Sequence, residues 1–256
     1  MCITPHTTAP PSMQSPFAPT HAGRVTGLAK RPVLLHARRM NEAVPVCRRC
    51  GACCRQGGPS LCREDLPLFA AGVLAPATLM VLRRGEYVTD NVAGGVVPAP
   101  VELVRLRPGQ GGRACLFFTE PDACAVHENR PRQCRDLFCD APQAVADAYL
   151  EGRLTRRDIL GEASPLAVLC AAHEAETDLA RLAALCRRAL GGDAAAREAV
   201  ARIVRLDAAY RDLLPARAGV SVTELPFYLG RPLARALPIV RAALGCGGLY
   251  NEAPSA

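Results

Sequence analysis

"CRRCGACC", residues 47–54, sets four cysteines within eight positions, the last two of them adjacent. Thiolates bind soft and borderline metals because sulfur is polarisable and, once deprotonated, charged; the bound metal in turn lowers the thiol pKa enough to ionise it at neutral pH. In a C-x2-C spacing the two sulfurs curl round one turn and can face a single ion. Cys47 and Cys50 are such a pair, and Gly51 permits the sharp backbone turn that follows. Cys53 continues the rhythm, but the ferredoxin-type run C-x2-C-x2-C-x3-C-P shares only these three positions, because its fourth cysteine and its proline are missing here. On an extended backbone neighbouring side chains point to opposite sides. Cys53 and Cys54 are therefore expected to diverge, either toward two different centres or with one ligating while the other packs. A vicinal disulfide would need a strained ring and an oxidising surrounding.

A second set follows some sixty residues on: Cys115, Cys124, Cys134 and Cys139. With the first four they make eight thiols, the number that two four-cysteine sites require. Zinc and iron-sulfur clusters both accept four thiolates, so spacing alone leaves the choice between them open.

These stretches together, "CRRCGACC", then "ACLFF", then "CAVHENRPRQCRDLFC", resemble the bacterial YkgJ-type cysteine-cluster proteins. That pattern is C-x2-C-x2-C-C, a later strand, and a C-terminal cysteine run containing Arg-Pro. The resemblance spans residues 47–139. It implies a zinc- or iron-chelating unit holding Zn2+ or an iron-sulfur cluster, of the 4Fe-4S type for instance, with metal ligands at Cys47, Cys50, Cys53, Cys54, Cys115, Cys124, Cys134 and Cys139. His127 stands where the pattern usually has Tyr, either as an added ligand or as a polar replacement. The motif is also similar to that of flagellin lysine N-methylases, which implies a redox or methyl-transfer enzyme as the alternative. No cofactor loop, Ser/His/Asp arrangement or paired carboxylates stand out in support of it.

The rest of the 256 residues sets bounds on this reading. Half the chain is hydrophobic with no Trp, so Ala, Leu and Val supply the core. The net charge of +7 comes from 30 Arg and the single Lys30 against 24 acidic residues, but the arginines are dispersed and aromatics are few. That distribution argues against a nucleic-acid interface. Of 13 cysteines, nine fall between residues 47 and 139. In a chain without a secretory h-region or an apolar run of ~18 residues, this points to a cytoplasmic metal protein rather than a disulfide scaffold.

The pattern predicts an α+β protein: a disordered Pro/Ser-rich arm (1–46), with Met40 a candidate true start, a cysteine-rich metal-binding module of short helices and strands (47–140), and a mainly helical region (141–256). Within the module, "SLCREDLPLFAAG" reads as a helix capped by Ser60, and "PATLMVLRRG" as a helix opening at Pro76 and stopping at Gly85. "EYVTDNVAGGVVPAP" and "VELVRLRPGQGGRACLFF" read as two or three strands. Beyond Ala141, "TDLARLAALCRRALGG", capped by Thr177, and "DAAAREAVARIVRLDAAYRDLL", capped by Asp193 and carrying a Glu198–Arg202 pair, form an antiparallel hairpin, with a last helix near 230–244. This helical half is expected to contact a protein partner or to complete the core. Cys62, the Cys170/His173 pair and Cys186 read as packing residues, Asp65 and Glu64 as first-turn acids, and Arg130-Pro131 as a device presenting the cysteines that follow.

Overall fold

The protein is seen here as a computed structural model describing residues 47–90, 94–109, 112–138 and 142–245. All belong to one compact unit. The expectations for the arm, for Met40 as the start, and for Cys139 lie outside the described residues.

A one-turn helix α1 (Ala52–Arg55) carries the CC pair, and α2 (Pro67–Ala70) follows a 3-10 turn at Arg63–Asp65. Strands β1 (Leu79–Leu82), β2 (Tyr87–Thr89), β3 (Val96–Pro98) and β4 (Leu103–Leu106) pair antiparallel as β1 with β4 and β2 with β3. A small hairpin, β5 (Phe118–Thr119) with β6 (Ala123–Cys124), and α3 (Arg132–Asp136) carry Cys124 and Cys134 of the second cysteine set. Seven helices close the described chain: α4 (Gln143–Asp147), α5 (Arg156–Leu160), α6 (Pro165–Glu176), α7 (Leu179–Leu190), α8 (Ala194–Ala218), α9 (Leu225–Leu229) and α10 (Leu233–Gly245).

The α+β class and the helical second half stand as read. So do the strands within 86–106 and the Asp193 cap, whose side chain accepts from Ala196 N. Four local expectations do not. "LMVL" is strand β1, not helix: Pro76 opens only a 3-10 turn, after which Leu79, Val81 and Leu82 are buried and the backbone pairs with β4. A strand buried on both faces shows no alternation, so periodicity cannot separate it from a helix. Ser60 caps nothing. It bridges to Arg105, and Cys62 stands at the helix start, where the Asp65 carboxylate accepts the Cys62 N–H in a capping box. Thr177 closes α6, its hydroxyl donating to His173 O, and Asp178 caps α7. Glu198 pairs with Arg205 rather than Arg202.

The main core draws on both halves of the chain. Leu61, Val81 and Leu106 pack with Leu154, Leu214, Phe227 and Leu229, each burial worth about 1.5–3 kcal/mol. Leu179, Leu182, Cys186, Val200, Ile203 and Leu233 fill a second cluster between α7, α8 and α10. Buried ions stitch these layers together. Arg156 on α5 binds Glu102 Oε2 at 2.6 Å, Glu174 on α6, and Tyr228 O at 2.5 Å. Arg83, at the end of β1, donates to Thr177 O at 3.0 Å. Asp207 of α8 accepts from His173 Nε2 at 2.9 Å, Arg211 Nε at 3.0 Å and Leu233 N at 2.9 Å. The Cys170/His173 pair is thus structural: Cys170 belongs to the core, and His173 is locked onto Asp207.

Candidate metal centre

Gly51 begins the cysteine site. Its φ of +69° is the left-handed region that favours glycine, and a Cβ there would stand 2.8 Å from Asp122 Oδ1 and 2.9 Å from Phe118 Cε2. This turn starts α1, so Cys53 and Cys54 lie on a helical turn instead of an extended strand. The expected divergence is therefore overturned: their sulfurs are 4.0 Å apart and both face the same space.

Three further segments close around that turn. Cys115 N donates to Cys54 O at 2.7 Å, joining the second cysteine set to the first through the backbone. Arg55 reaches across to the β5–β6 hairpin, donating to Asp122 Oδ1 at 2.6 Å and Pro121 O at 2.5 Å while lying 4.8 Å over the Phe118 ring. Its other nitrogen holds Cys50 O at 3.2 Å. Helix α3, which carries Cys134, starts after Pro131 and is tied down by Arg132 N to Asp65 Oδ1 at 2.7 Å and by Ser60 N to Gln133 Oε1 at 2.8 Å. Arg130 donates to His127 O and Arg135 to Arg130 O, both at 2.9 Å, so these arginines shape the loop by gripping carbonyls. Asp65 is fully buried, and burial pushes its carboxyl up although two backbone N–H groups hold it as an anion.

The result is a cavity of about 80 Å3 adjoining a second of about 190 Å3. Cys47, Cys53, Cys54, Cys124 and Cys134 line both. Cys50 faces only the first and Cys115 only the second. Seven of the eight expected ligand cysteines thus surround one continuous space, the eighth being Cys139 outside the described residues. Cys62 does not reach it; it packs at 6% exposure against Arg153. Among the described residues, no three His, Cys, Asp or Glu side chains converge closely enough to hold a metal ion together. The thiols ring the space instead of meeting at a point.

Their electrostatics favour a cation there. The contact with Cys54 lowers the Cys53 thiol to about 6, and the same contact together with burial drives Cys54 well above the ordinary range. Burial raises Cys115 and Cys134, and nearby thiols add to the effect. Sulfur donors that burial and mutual repulsion keep protonated are those that a bound cation ionises, so the donor set fits a soft or borderline metal. One further polar atom belongs to the wall: His127 Nε2, buried and without a hydrogen-bond partner.

The comparison with known families falls on the same segment. Residues 46–149 match the model of the family described as "CxxCxxCC: Putative zinc- or iron-chelating domain". The match covers the cysteine-bearing part of the chain. Apart from Cys62, the described thiols of this segment are those surrounding the cavity. No curated protein and no solved structure matches the chain. Among the described residues, no helix is long and apolar enough to cross a membrane.

Arg55 escaped the sequence reading. Nothing about an arginine after a cysteine pair signals that it will span 67 residues to Asp122. Gly51 was visible as a turn, but not as the residue that converts the CC pair from extended to helical.

Proposed function

We infer that the protein binds zinc or an iron-sulfur cluster at this thiol-lined cavity. One observation carries the reading: seven cysteines from four chain segments face one space that α1, the β5–β6 hairpin and α3 hold in place. When bound, the metal supplies the positive charge that lets neighbouring thiols ionise together. Cys47, Cys50, Cys53, Cys54, Cys115, Cys124 and Cys134 are its candidate holders, and Arg55 and Arg132 keep their segments closed. Anaerobic purification with metal and sulfide analysis and a visible spectrum tests it. Colourless protein with stoichiometric zinc selects zinc, and brown protein with iron and sulfide selects the cluster. Protein free of both metals would overturn the proposal.

A second reading, a redox or methyl-transfer enzyme, is favoured by a groove of about 650 Å3 that opens beside the thiols and shares Gln56, Gly57, Gly58 and Arg105 with their cavity. Met80, Leu82, Tyr87 and Ile239 give it apolar walls, so a small molecule held there would lie next to the metal. Calorimetric binding of a methyl donor, or reversible reduction of the metal-loaded protein, tests this reading; absence of both leaves the binding role alone.

A further inference from the structure

We propose that His127 is a nitrogen ligand of this centre, coordinating through Nε2, so that the site is a mixed sulfur and nitrogen one. The inference rests on the metal-binding reading above and adds a ligand of a different element to it.

His127 begins the 3-10 turn His127–Asn129, between Cys124 and Cys134 in the chain, and its ring lines both cavities that the thiols line. Its side chain is 18% exposed, and its Nε2 is buried with no hydrogen-bond partner. A buried polar atom left without a partner costs free energy, so such an atom facing a ligand-binding space is an observation to be explained. The other ring nitrogen has partners of its own. Nδ1 lies 3.2 Å from Glu128 Oε1, and the Glu128 side chain is 83% exposed, hence ionised at neutral pH and able only to accept. Arg49 Nη2 also stands 3.2 Å from Nδ1, but it has its own acceptor in the same Glu128 oxygen at 3.2 Å. Were Nδ1 unprotonated, its lone pair would confront that carboxylate. With the proton on Nδ1, Glu128 accepts from both neighbours, and Nε2 presents a free lone pair to the thiol-lined space. A carboxylate on one imidazole nitrogen and a metal on the other is the arrangement in which histidine ligands are normally oriented and made more basic. Glu128 is then a positioning residue, acting through His127.

X-ray absorption at the metal edge of the protein as purified reads the donors directly, whether the metal is zinc or iron. The expected wild-type spectrum contains imidazole scattering beside sulfur. In His127→Ala the imidazole contribution should vanish while sulfur scattering remains, with metal affinity at least tenfold weaker. Glu128→Gln should keep the imidazole signal and lose affinity by roughly tenfold. Cobalt substitution gives an independent readout, because exchanging nitrogen for sulfur or water shifts the visible ligand-field bands between wild type and His127→Ala. An all-sulfur wild-type spectrum overturns the role of His127 and leaves the metal-binding reading standing. Imidazole scattering that persists in His127→Ala assigns the nitrogen to another histidine and overturns it equally. Protein without metal overturns the underlying reading and this inference with it. Should His127→Ala misfold, the wild-type spectrum and His127→Gln decide the same question.

Discussion

At Asp207 the carboxylate accepts hydrogen bonds from His173, Arg211 and the Leu233 backbone and is lowered to about 2 despite its burial. At Cys134, by contrast, burial raises the thiol, and the neighbouring Cys115, Cys53 and Cys124 raise it further. Both places concentrate ionisable groups inside the protein. The first brings its own hydrogen-bond donors from α6 and α8, with Arg211 as the counter-charge, and is finished by folding alone. The second assembles groups of one sign and leaves their neutralisation to something outside the chain. Pairing within the polypeptide marks a structural network, and repulsion around a cavity marks a binding site.

The comparison can be broken most forcefully by removing the metal. Chelation of loaded protein should raise hydrogen exchange across residues 47–62 and 113–138 by orders of magnitude, while α7 and α8, which pack in their own cluster, stay protected. Uniform exchange in both regions would erase the distinction. Next in size, Arg156→Met strands Glu102 without its cation, leaves Glu174 only Arg83 at 3.5 Å, and should cost about 3–5 kcal/mol in denaturant unfolding, with metal stoichiometry unchanged. Gly51→Ala should do the reverse. A strained turn of about 2–3 kcal/mol falls on the cysteine site, so metal affinity drops sharply while the unfolding midpoint of metal-free protein moves little.

The smallest effect is in pH dependence. Burial lowers His173 below its ordinary 6.5, and hydrogen bonds lower Asp207 from 3.8 to about 2. In both cases the unfolded chain binds more protons, so the stabilisation is complete above the unfolded values and is lost on acidification. The loss begins below about 6.5 for His173 and continues between about 4 and about 2 for Asp207, the latter worth on the order of 2 kcal/mol. Metal-free protein should therefore lose stability below about 6.5. His173→Gln, which still donates to Asp207, should flatten the upper part of that slope in pH-dependent unfolding. An unchanged slope would show that His173 is not buried neutral.

The sequence was legible where one local signal decided the outcome. Asp193 after the Gly191-Gly192 stop marked the α7–α8 hairpin, and β-branched runs between turns marked β2, β3 and β4. The cysteine spacings delimited the site because chelation demands close sequence neighbours. "LMVL" was opaque because a strand buried on both faces has no alternation. The orientation of Cys53 and Cys54 turned on the backbone at Gly51, which no pattern of side chains encodes. The ion network was invisible for another reason: Arg156 finds Glu102 and Tyr228 at separations of 54 and 72 residues, and nothing local announces either partner.

The backbone ribbon at residues 59–62 has one more consequence. Leu61 N donates to Val104 O at 2.7 Å, and Leu61 O accepts from Leu154 N at 3.1 Å, so the stretch between the two cysteine sets is gripped on one side from within the CxxCxxCC segment and on the other from beyond residue 149. Swapping this cysteine segment between proteins would thus replace one edge of a shared ribbon. Any recipient chain would have to supply a strand-like residue in the place of Leu154 and an apolar cover in the place of Phe227. Inheritance of the metal motif and inheritance of its helical cover are linked through a single leucine that the motif grips on one side and the cover on the other.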